Sequence, residues 1–210
     1  MADLGGGKTI FMRLWGVDFI PKELQTDLSK GKYFYGGQEL VGAGTWTAIS
    51  SFGFSGARPF SMPLGEDQGH MKVGNQVFSA LGVTKALGPS SEKILSRLFV
   101  PPLKGGGESK YIKKKHGGGD TYTFVVTNGT GDMGLLNVIM QLNLVSSHVI
   151  SYNLGGSTGT DPFESIQIAY GGVEIQSWHF DDEKSDYKEG GAVAYDLMNR
   201  VATSFWRRKS

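Results

Sequence analysis

Few residues in this sequence have the types and spacing that chemistry requires. Residues 5–9 read Gly-Gly-Gly-Lys-Thr and resemble the end of a phosphate-binding loop. That motif needs another Gly at position 2, where the chain has Ala2, and it must follow a strand and open a helix. This segment instead precedes the first predicted strand. We therefore interpret it as a lead-in and predict no bound nucleotide or other cofactor.

The histidines do not indicate a metal site. His179 is followed by Asp181, Asp182 and Glu183, a set that could bind a metal ion, but a solvated acidic turn fits the spacing better. His148 shares the phase of a row of apolar residues, which predicts a half-buried imidazole without a catalytic role. We therefore predict no metal.

A hydroxyl and an imidazole are adjacent in sequence at Ser146, Ser147 and His148. The run lacks the G-x-S-x-G elbow, and a catalytic triad is defined by positions in space rather than by adjacent residues. We predict no catalytic residue and no enzyme.

Composition excludes several further classes. The chain has no Cys, so disulfides, thiolate zinc sites and Cys nucleophiles are ruled out. Its 21 Lys+Arg and 20 Asp+Glu give a formal net charge of +1, so no overall field favours nucleic acid or an acidic membrane. We interpret the Lys-rich residues 110–116 as a solvated excursion rather than a phosphate-binding patch. Nucleic acid is therefore not a predicted partner.

No membrane or targeting segment is evident. No stretch reaches the ~18 to 20 consecutive apolar residues of a membrane helix. The N-terminus lacks the basic start and apolar region of a secretory signal. We expect a chain made in the cytoplasm that does not insert in a membrane or use the usual secretory route.

Alternating apolar and polar residues predict seven or eight strands and a mainly β protein. In the clearest case Ile10, Met12 and Leu14 share one face of a strand over residues 9–15. The other strand patterns cover residues 45–54, 71–78, 81–87, 122–127, 135–152, 164–180 and 192–198.

Turns and breaks organise these strands. Residues 128–132 have the composition of a hairpin turn. The apolar phase slips at Gly171 and Gly172, which predicts a β-bulge there. One helix is predicted after Pro89, with Ser90 or Ser91 as N-cap and helical spacing of Ile94, Leu95, Leu98 and Phe99.

Four segments lie outside these elements. Residues 16–44 form a long connection, 53–69 an apolar loop, 103–120 a Gly- and Lys-rich insertion, and 203–210 a flexible tail. We predict one domain over residues 1–210, built as a small barrel or sandwich with one helix.

Several segments, in order, resemble the haemolysin-coregulated protein (Hcp) family. They cover residues 83–85, 89–95, 145–152, 155–159, 164–175 and 190–196. They match a strand ending in Thr-Lys, a turn and single helix, a long strand ending in Val-Ser-Ser, a Gly/Ser-rich loop and a closing Gly-Gly-x-Val strand. The resemblance spans roughly residues 45–196 and the first strand, and it departs at the connection 16–44 and the insertion 103–120.

The resemblance implies a compact closed antiparallel β-barrel with one flanking α-helix. It implies homohexameric rings that stack into the inner tube of a type VI secretion system, inside a sheath and under a spike protein. Effectors travel in the lumen, and the protein is exported without a signal peptide.

Two alternatives remain open at this stage. A bacteriophage-type tail tube protein would share the fold, and a monomeric β-barrel enzyme or binding module would belong to another class. If the chain forms rings, we expect exposed loops to make the ring or stacking contacts. The candidate residues are Phe54, Arg58, Phe60, Met62, Leu64, Gly155, Gly156 and Asp161.

Overall fold

The computed structural model describes residues 8–14, 33–35, 38–39, 46–61, 72–99, 119–130, 135–181, 186–197 and 200–205. These residues form sixteen strands and one helix, as the mainly β prediction required. The strands are β1 (Lys8–Leu14), β2 (Tyr33–Tyr35), β3 (Gln38–Glu39), β4 (Thr47–Ile49), β5 (Ser51–Gly53), β6 (Gly56–Ala57), β7 (Phe60–Ser61), β8 (Lys72–Val73), β9 (Val77–Phe78), β10 (Leu81–Ala86), β11 (Asp120–Thr130), β12 (Leu135–Gly155), β13 (Phe163–Ala169), β14 (Gly172–Asp181), β15 (Asp186–Asp196) and β16 (Val201–Phe205). The helix is α1 (Ser91–Phe99).

The long strand β12 organises the sheet. The main path runs β16-β15-β14-β12-β11-β1-β4. The first half of β12 pairs with β11 and β14, and its second half pairs with β13. Strand β10 lies between β13 and β5. Apart from the parallel contact of β2 with β12, the described pairs are antiparallel.

The chain changes direction within the sheet at two serines. Strand β4 pairs with β1 and β5 pairs with β10, with only Ser50 between β4 and β5. The Ser50 N–H donates to Thr84 O at 2.8 Å, which holds this corner. The second corner is in β12, where Ser146 has a left-handed φ of 52°. These corners join the β1–β11 side of the sheet to the β10–β13 side.

The core lies between these two sides and under α1. The largest fully buried apolar side chains are Met12, Leu14, Leu81, Ile94, Tyr122, Phe124, Leu142, Leu144, Ile166 and Ile168. Helix α1 contributes Ile94 to this cluster. Its first turn begins where the Ile94 N–H donates to Ser90 O at 3.1 Å, and Glu92 there and Arg97 in the last turn suit the helix dipole. The helix predicted from spacing is therefore confirmed, and at nine residues it is too short and too polar to cross a bilayer.

The prediction of a β-bulge at Gly171 and Gly172 is wrong, because neither strand contains an extra residue there. Ala169 pairs with His148 and Gly172 pairs with Val145, so the register is the same on both sides of the break. The apolar face does change there. The buried face of the paired strand β12 also changes at this position, next to Ser146, so the two strands change together.

Three boundaries also differ from those predicted. The connection 16–44 contains β2 and β3. Strand β16 occupies Val201–Phe205, so the first residues of the expected tail are paired in the sheet. Asp120 begins β11 rather than ending the insertion, of which residues 103–118 lie outside the described residues. The hairpin between β11 and β12 is confirmed, with Thr130 paired to Leu135, but residues 128–130, which were predicted to lie in its turn, belong to β11.

Candidate functional site

A two-stranded arm leaves the sheet between β5 and β10. We define the arm as residues 54–61 and 72–80, with residues 62–71 outside the described part of the chain. Its two strands pair through β6 with β9 and β7 with β8. The Gly74 N–H donates to Pro59 O at 2.7 Å between these ladders. The apolar loop predicted here is therefore a hydrogen-bonded ribbon.

Tyr170 fixes one side of the base of the arm. Its hydroxyl donates to Ser79 O at 3.0 Å, and its ring meets Phe54 edge-on at 6.4 Å. Ser55 and Ser79 complete the base, with the Ser55 N–H donating to Ser79 Oγ and the Ser79 N–H donating to Ser55 O, each at 2.8 Å. Burial raises the pKa of Tyr170 to about 12. Its hydroxyl therefore stays protonated and remains a donor well above neutral pH.

Tyr195 fixes a second position near the base of the arm. Its hydroxyl donates to Gln76 Oε1 at 3.0 Å, and its ring lies 5.1 Å from that of Phe78. Phe78 also packs against the main core cluster. Two tyrosines from outside the arm thus contact both of its strands. These contacts fix the position of the arm relative to the sheet.

The outer part of the arm exposes apolar side chains. Phe60 is 67% exposed, Val77 61% and Val73 50%. Phe60 and Val73 are direct cross-strand partners, so they share one face of the ribbon. Large apolar side chains grouped on a surface are typical of contact sites.

The structure divides the predicted arm residues between body and surface. Phe54 is half-buried and packs against the core. Arg58 and Phe60 are exposed on the arm. Met62 and Leu64 lie outside the described residues.

The other predicted residues lie far from the arm, in the loop between β12 and β13. Gly156 and Asp161 are exposed, and Gly155 lies under the ring of Phe163, where an added Cβ would be 2.6 Å from the ring. The arm adjoins Leu81 at the start of β10, whereas this loop adjoins Ala86 at its end, where Ala86 pairs with Phe163. These two positions are the ends of one strand, β10, and lie on the order of 17 Å apart.

Apolar side chains are also exposed around this loop. Leu154 is 61% exposed, Phe163 47% and Leu87 46%. The Leu87 N–H donates to Pro162 O at 3.0 Å, which ties the end of β10 to the loop. We call Leu87, Leu154 and Phe163 the distal patch. The β10–β13 side of the sheet therefore exposes apolar residues at both ends.

A buried ion pair lies just inside the distal patch. Lys85 Nζ is 2.9 Å from Glu164 Oε1, and their side chains are 2% and 0% exposed. The Lys85 ammonium also donates to Ala86 O at 2.8 Å and Ser91 Oγ at 3.1 Å. The Ser91 hydroxyl donates to Glu164. One cluster thus joins β10, β13 and the start of α1.

This pair was not predicted, although the sequence contains a signal for it. Lys85 continues the phase of Leu81 and Val83, which point inward. Glu164 begins the inward phase that continues with Ile166. Two opposite charges at inward positions of two strands predict a buried pair whenever the strands are neighbours.

The contact between Ser91 and Lys85 has the composition of a Ser–Lys nucleophile pair. Both side chains are buried, so substrate has no path to the hydroxyl. The Lys85 ammonium donates to the Glu164 carboxylate, and this contact disfavours Lys85 as a general base. Burial and the Glu164 carboxylate raise the pKa of the nearby Tyr152. The cluster serves to join elements of the fold.

The two histidines in the described part of the chain, His148 and His179, lie on the surface. His148 is exposed, so the predicted half-buried imidazole is wrong, because the left-handed turn at Ser146 shifts the phase of β12 and turns His148 outward. His179 is also exposed, on β14. In the parts of the chain that the structure describes, no three His, Asp or Glu residues are grouped to hold a metal ion.

Comparison with known proteins gives matches in structure. No protein-family model matches the chain, and no curated protein sequence matches it. A solved structure described as that of a type six secretion system protein is 17% identical, with a TM-score of 0.64 over 94% of this chain and 100% of that chain. Hcp1 from Salmonella typhimurium is 9% identical, with a TM-score of 0.54 over 93% of this chain and 99% of that chain. The chain therefore has an Hcp-like fold, which confirms the predicted resemblance at the level of structure.

Proposed function

We propose that this chain, with its Hcp-like fold, is a structural subunit of a type VI secretion inner tube. In this proposal it forms hexameric rings that stack into a secreted tube whose lumen carries effectors. The observation behind the proposal is that the fold matches over 94% of this chain and 100% of a type six secretion system protein. The match therefore takes in nearly all of the residues of this chain and the full length of the solved chain.

The strand pairing supports a closed barrel as the body of this subunit. Neighbouring pairs lead from β1 to β11, β12, β13 and β10. Strand β10 then pairs with β5, and β4, one residue away, pairs with β1 again. We propose that this circuit forms a small barrel with corners at Ser50 and Ser146. Closure would remove exposed edges from these seven strands, which suits a subunit that must not aggregate.

The arm and the distal patch support head-to-tail stacking. Stacking by translation needs two different surfaces that fit each other, since each subunit meets its neighbour through unlike faces. The arm offers Phe60 and Val73 at one end of β10, and the distal patch offers Leu154 and Phe163 at the other. We propose that the arm of one copy contacts the distal patch of the next. Burying one such side chain contributes about 1.5–3 kcal/mol.

The predicted interface residues take different parts in this contact. Arg58 and Phe60 belong to the arm, and Gly155, Gly156 and Asp161 belong to the loop beside the distal patch. Met62 and Leu64 are proposed to lie in the same interface. Phe54 is proposed to act indirectly, by holding the base of the arm against Tyr170.

The remaining parts of the proposal follow from the resemblance. The sheath and the spike protein would be partners of the assembled tube, and effectors would be its cargo. The subunit would have no catalytic activity and would be exported from the cytoplasm without a signal peptide.

The mass of the purified protein tests the proposal. Multi-angle light scattering at micromolar concentration should give six times the 22.7 kDa of one chain. Negative-stain images should show rings with a central hole. A stable monomer would contradict the ring and favour a monomeric binding module or enzyme. Rings encoded beside capsid genes rather than sheath and secretion ATPase genes would favour a bacteriophage-type tube.

A further inference from the structure

A closed polar cluster lies where α1 meets β11 and β12. Asp120 is 2% exposed at the start of β11, and Arg97 Nε of α1 is 3.7 Å from its Oδ2. Tyr122 and Ser147 are both 0% exposed, and Ser147 is the strand partner of Asp120. Tyr122 follows Asp120 by two residues on β11, and the charges of Asp120 and Arg97 both act on the pKa of its hydroxyl. The cluster is independent of the surfaces proposed for assembly.

Two hydroxyls in this cluster have no protein partner. Among the residues that the structure describes, neither Tyr122 Oη nor Ser147 Oγ makes a hydrogen bond. A buried hydroxyl left in that state costs free energy, so native proteins seldom retain one. Burial and the neighbouring Asp120 carboxylate raise the pKa of Tyr122. Its hydroxyl is therefore neutral and able both to donate and to accept.

The backbone is irregular at the same place. The register of β11 with β12 shifts between Asp120 and Tyr122. Ser146 has its left-handed φ of 52° here, and the backbone of Gly119 packs so closely that an added Cβ would be 2.6 Å from Ser146. Shifts in register interrupt the regular ladder and leave polar groups that need other partners.

We infer that an internal water molecule binds in this cluster and bridges the hydroxyls of Tyr122 and Ser147 beside Asp120. Buried waters typically make about three hydrogen bonds to polar groups that otherwise lack partners. Both hydroxyl-bearing residues are fully buried, so the site admits only a ligand small enough to enter by local opening. Water suits hydroxyls that both donate and accept, next to a carboxylate that accepts.

The sign of a mutational effect tests the inference. If the water is bound, Tyr122→Phe removes a satisfied hydrogen bond and should raise the unfolding equilibrium constant about fivefold. Ser147→Ala should do the same. The double variant should raise it by less than the product of the two effects, because the hydroxyls share one water. All variants should be unfolded in denaturant at one protein concentration, since assembly shifts apparent stability.

Thr127→Val is the matched control. Thr127 is a buried hydroxyl of the same strand with a direct bond, from its Oγ1 to Thr9 O at 3.1 Å. The fold-change that Thr127→Val causes in the unfolding equilibrium constant should multiply in full with the fold-change caused by Tyr122→Phe. A crystal structure should show density within about 3.2 Å of both hydroxyl oxygens. A Tyr122→Phe variant that is more stable than the parent, or density there belonging to a side chain, would overturn the inference.

Discussion

The inside of the β10–β13 pair and the arm at its end depart from the usual distribution of side chains in opposite directions. The interior contains a charged pair, Lys85 and Glu164, that is almost fully buried. The arm exposes Phe60 and Val73, which a monomer would normally cover. The charged pair has its partners within the subunit. Phe60 and Val73 pair with each other across the ribbon and stay at least half exposed, so they are available for contacts with another molecule.

The largest effect should come from breaking the buried pair. Glu164→Ala removes the carboxylate and leaves the Lys85 ammonium buried without its counterion. This should lower the free energy of unfolding by about 3–5 kcal/mol. Denaturant unfolding followed by tryptophan fluorescence measures it.

The matched control replaces both charges together. Lys85→Met combined with Glu164→Leu keeps similar volumes and removes both charges, so it should recover most of the lost stability. Glu92→Ala removes an exposed carboxylate in the first turn of α1 and should cost about 1 kcal/mol or less. If Glu164→Ala cost no more than Glu92→Ala, the pair would not hold the fold as argued.

The next effect separates assembly from folding. Phe60→Asp places a charge on the exposed face of the arm, so the isolated subunit should keep its stability within about 0.5 kcal/mol. Losing the burial of one Phe should weaken each contact between subunits tenfold or more. Light scattering over a dilution series measures assembly, and circular dichroism measures folding.

Two further variants test this prediction. Ser61→Asp adds the same charge one residue along, on the opposite face of the ribbon, and should assemble more readily than Phe60→Asp. Phe54→Asp places a charge against the core cluster and should destabilise the subunit itself. Normal assembly of Phe60→Asp would place the contact elsewhere, for example at residues 155–161.

A smaller effect is expected where the two regions meet, at Tyr170. Its pKa is raised to about 12 from an ordinary value of 10.0. The raised pKa means that the unfolded chain loses the phenolic proton first. The contribution of the Tyr170 phenol to the free energy of unfolding is therefore fully present below pH 10, and it decreases as the pH rises from about 10 to about 12.

Tyr170→Phe should flatten the dependence of the melting temperature on pH in that window. At neutral pH it removes the bond to Ser79 O, at about 1 kcal/mol, and should increase hydrogen exchange in the arm. The difference in absorbance at 295 nm between the parent and Tyr170→Phe would follow the ionisation of Tyr170 alone, since the chain has 8 Tyr. A difference that titrates near pH 10 in the folded protein would contradict the burial on which this depends.

The sequence predicted elements better than contacts. The helix, the hairpin of β11 and β12 and the first strand follow from local spacing, because each depends on residues near one another in the chain. The exposure of His148 depends on the left-handed Ser146, which no period in the sequence reveals. The pairing of Lys85 with Glu164 depends on which strands become neighbours, 79 positions apart. Phe54 and Phe60 look alike in sequence, and only the ring of Tyr170 distinguishes the one that belongs to the body.

The smallest effect is expected outside both regions, in the Gly- and Lys-rich insertion. Residues 104–118 contain a Gly triplet, a Lys-rich run and the first two glycines of a second triplet, and they lie outside the described residues. Replacing them with a short Gly-Ser link should shift the melting temperature by only a few degrees, because loop length costs about 0.6 kcal/mol per doubling. The link must stop before Gly119, whose φ of +135° and close approach to Ser146 leave no room for a side chain. Gly119→Ala should therefore destabilise the subunit more than deletion of the fifteen preceding residues, and the opposite order would show that the insertion packs on the fold.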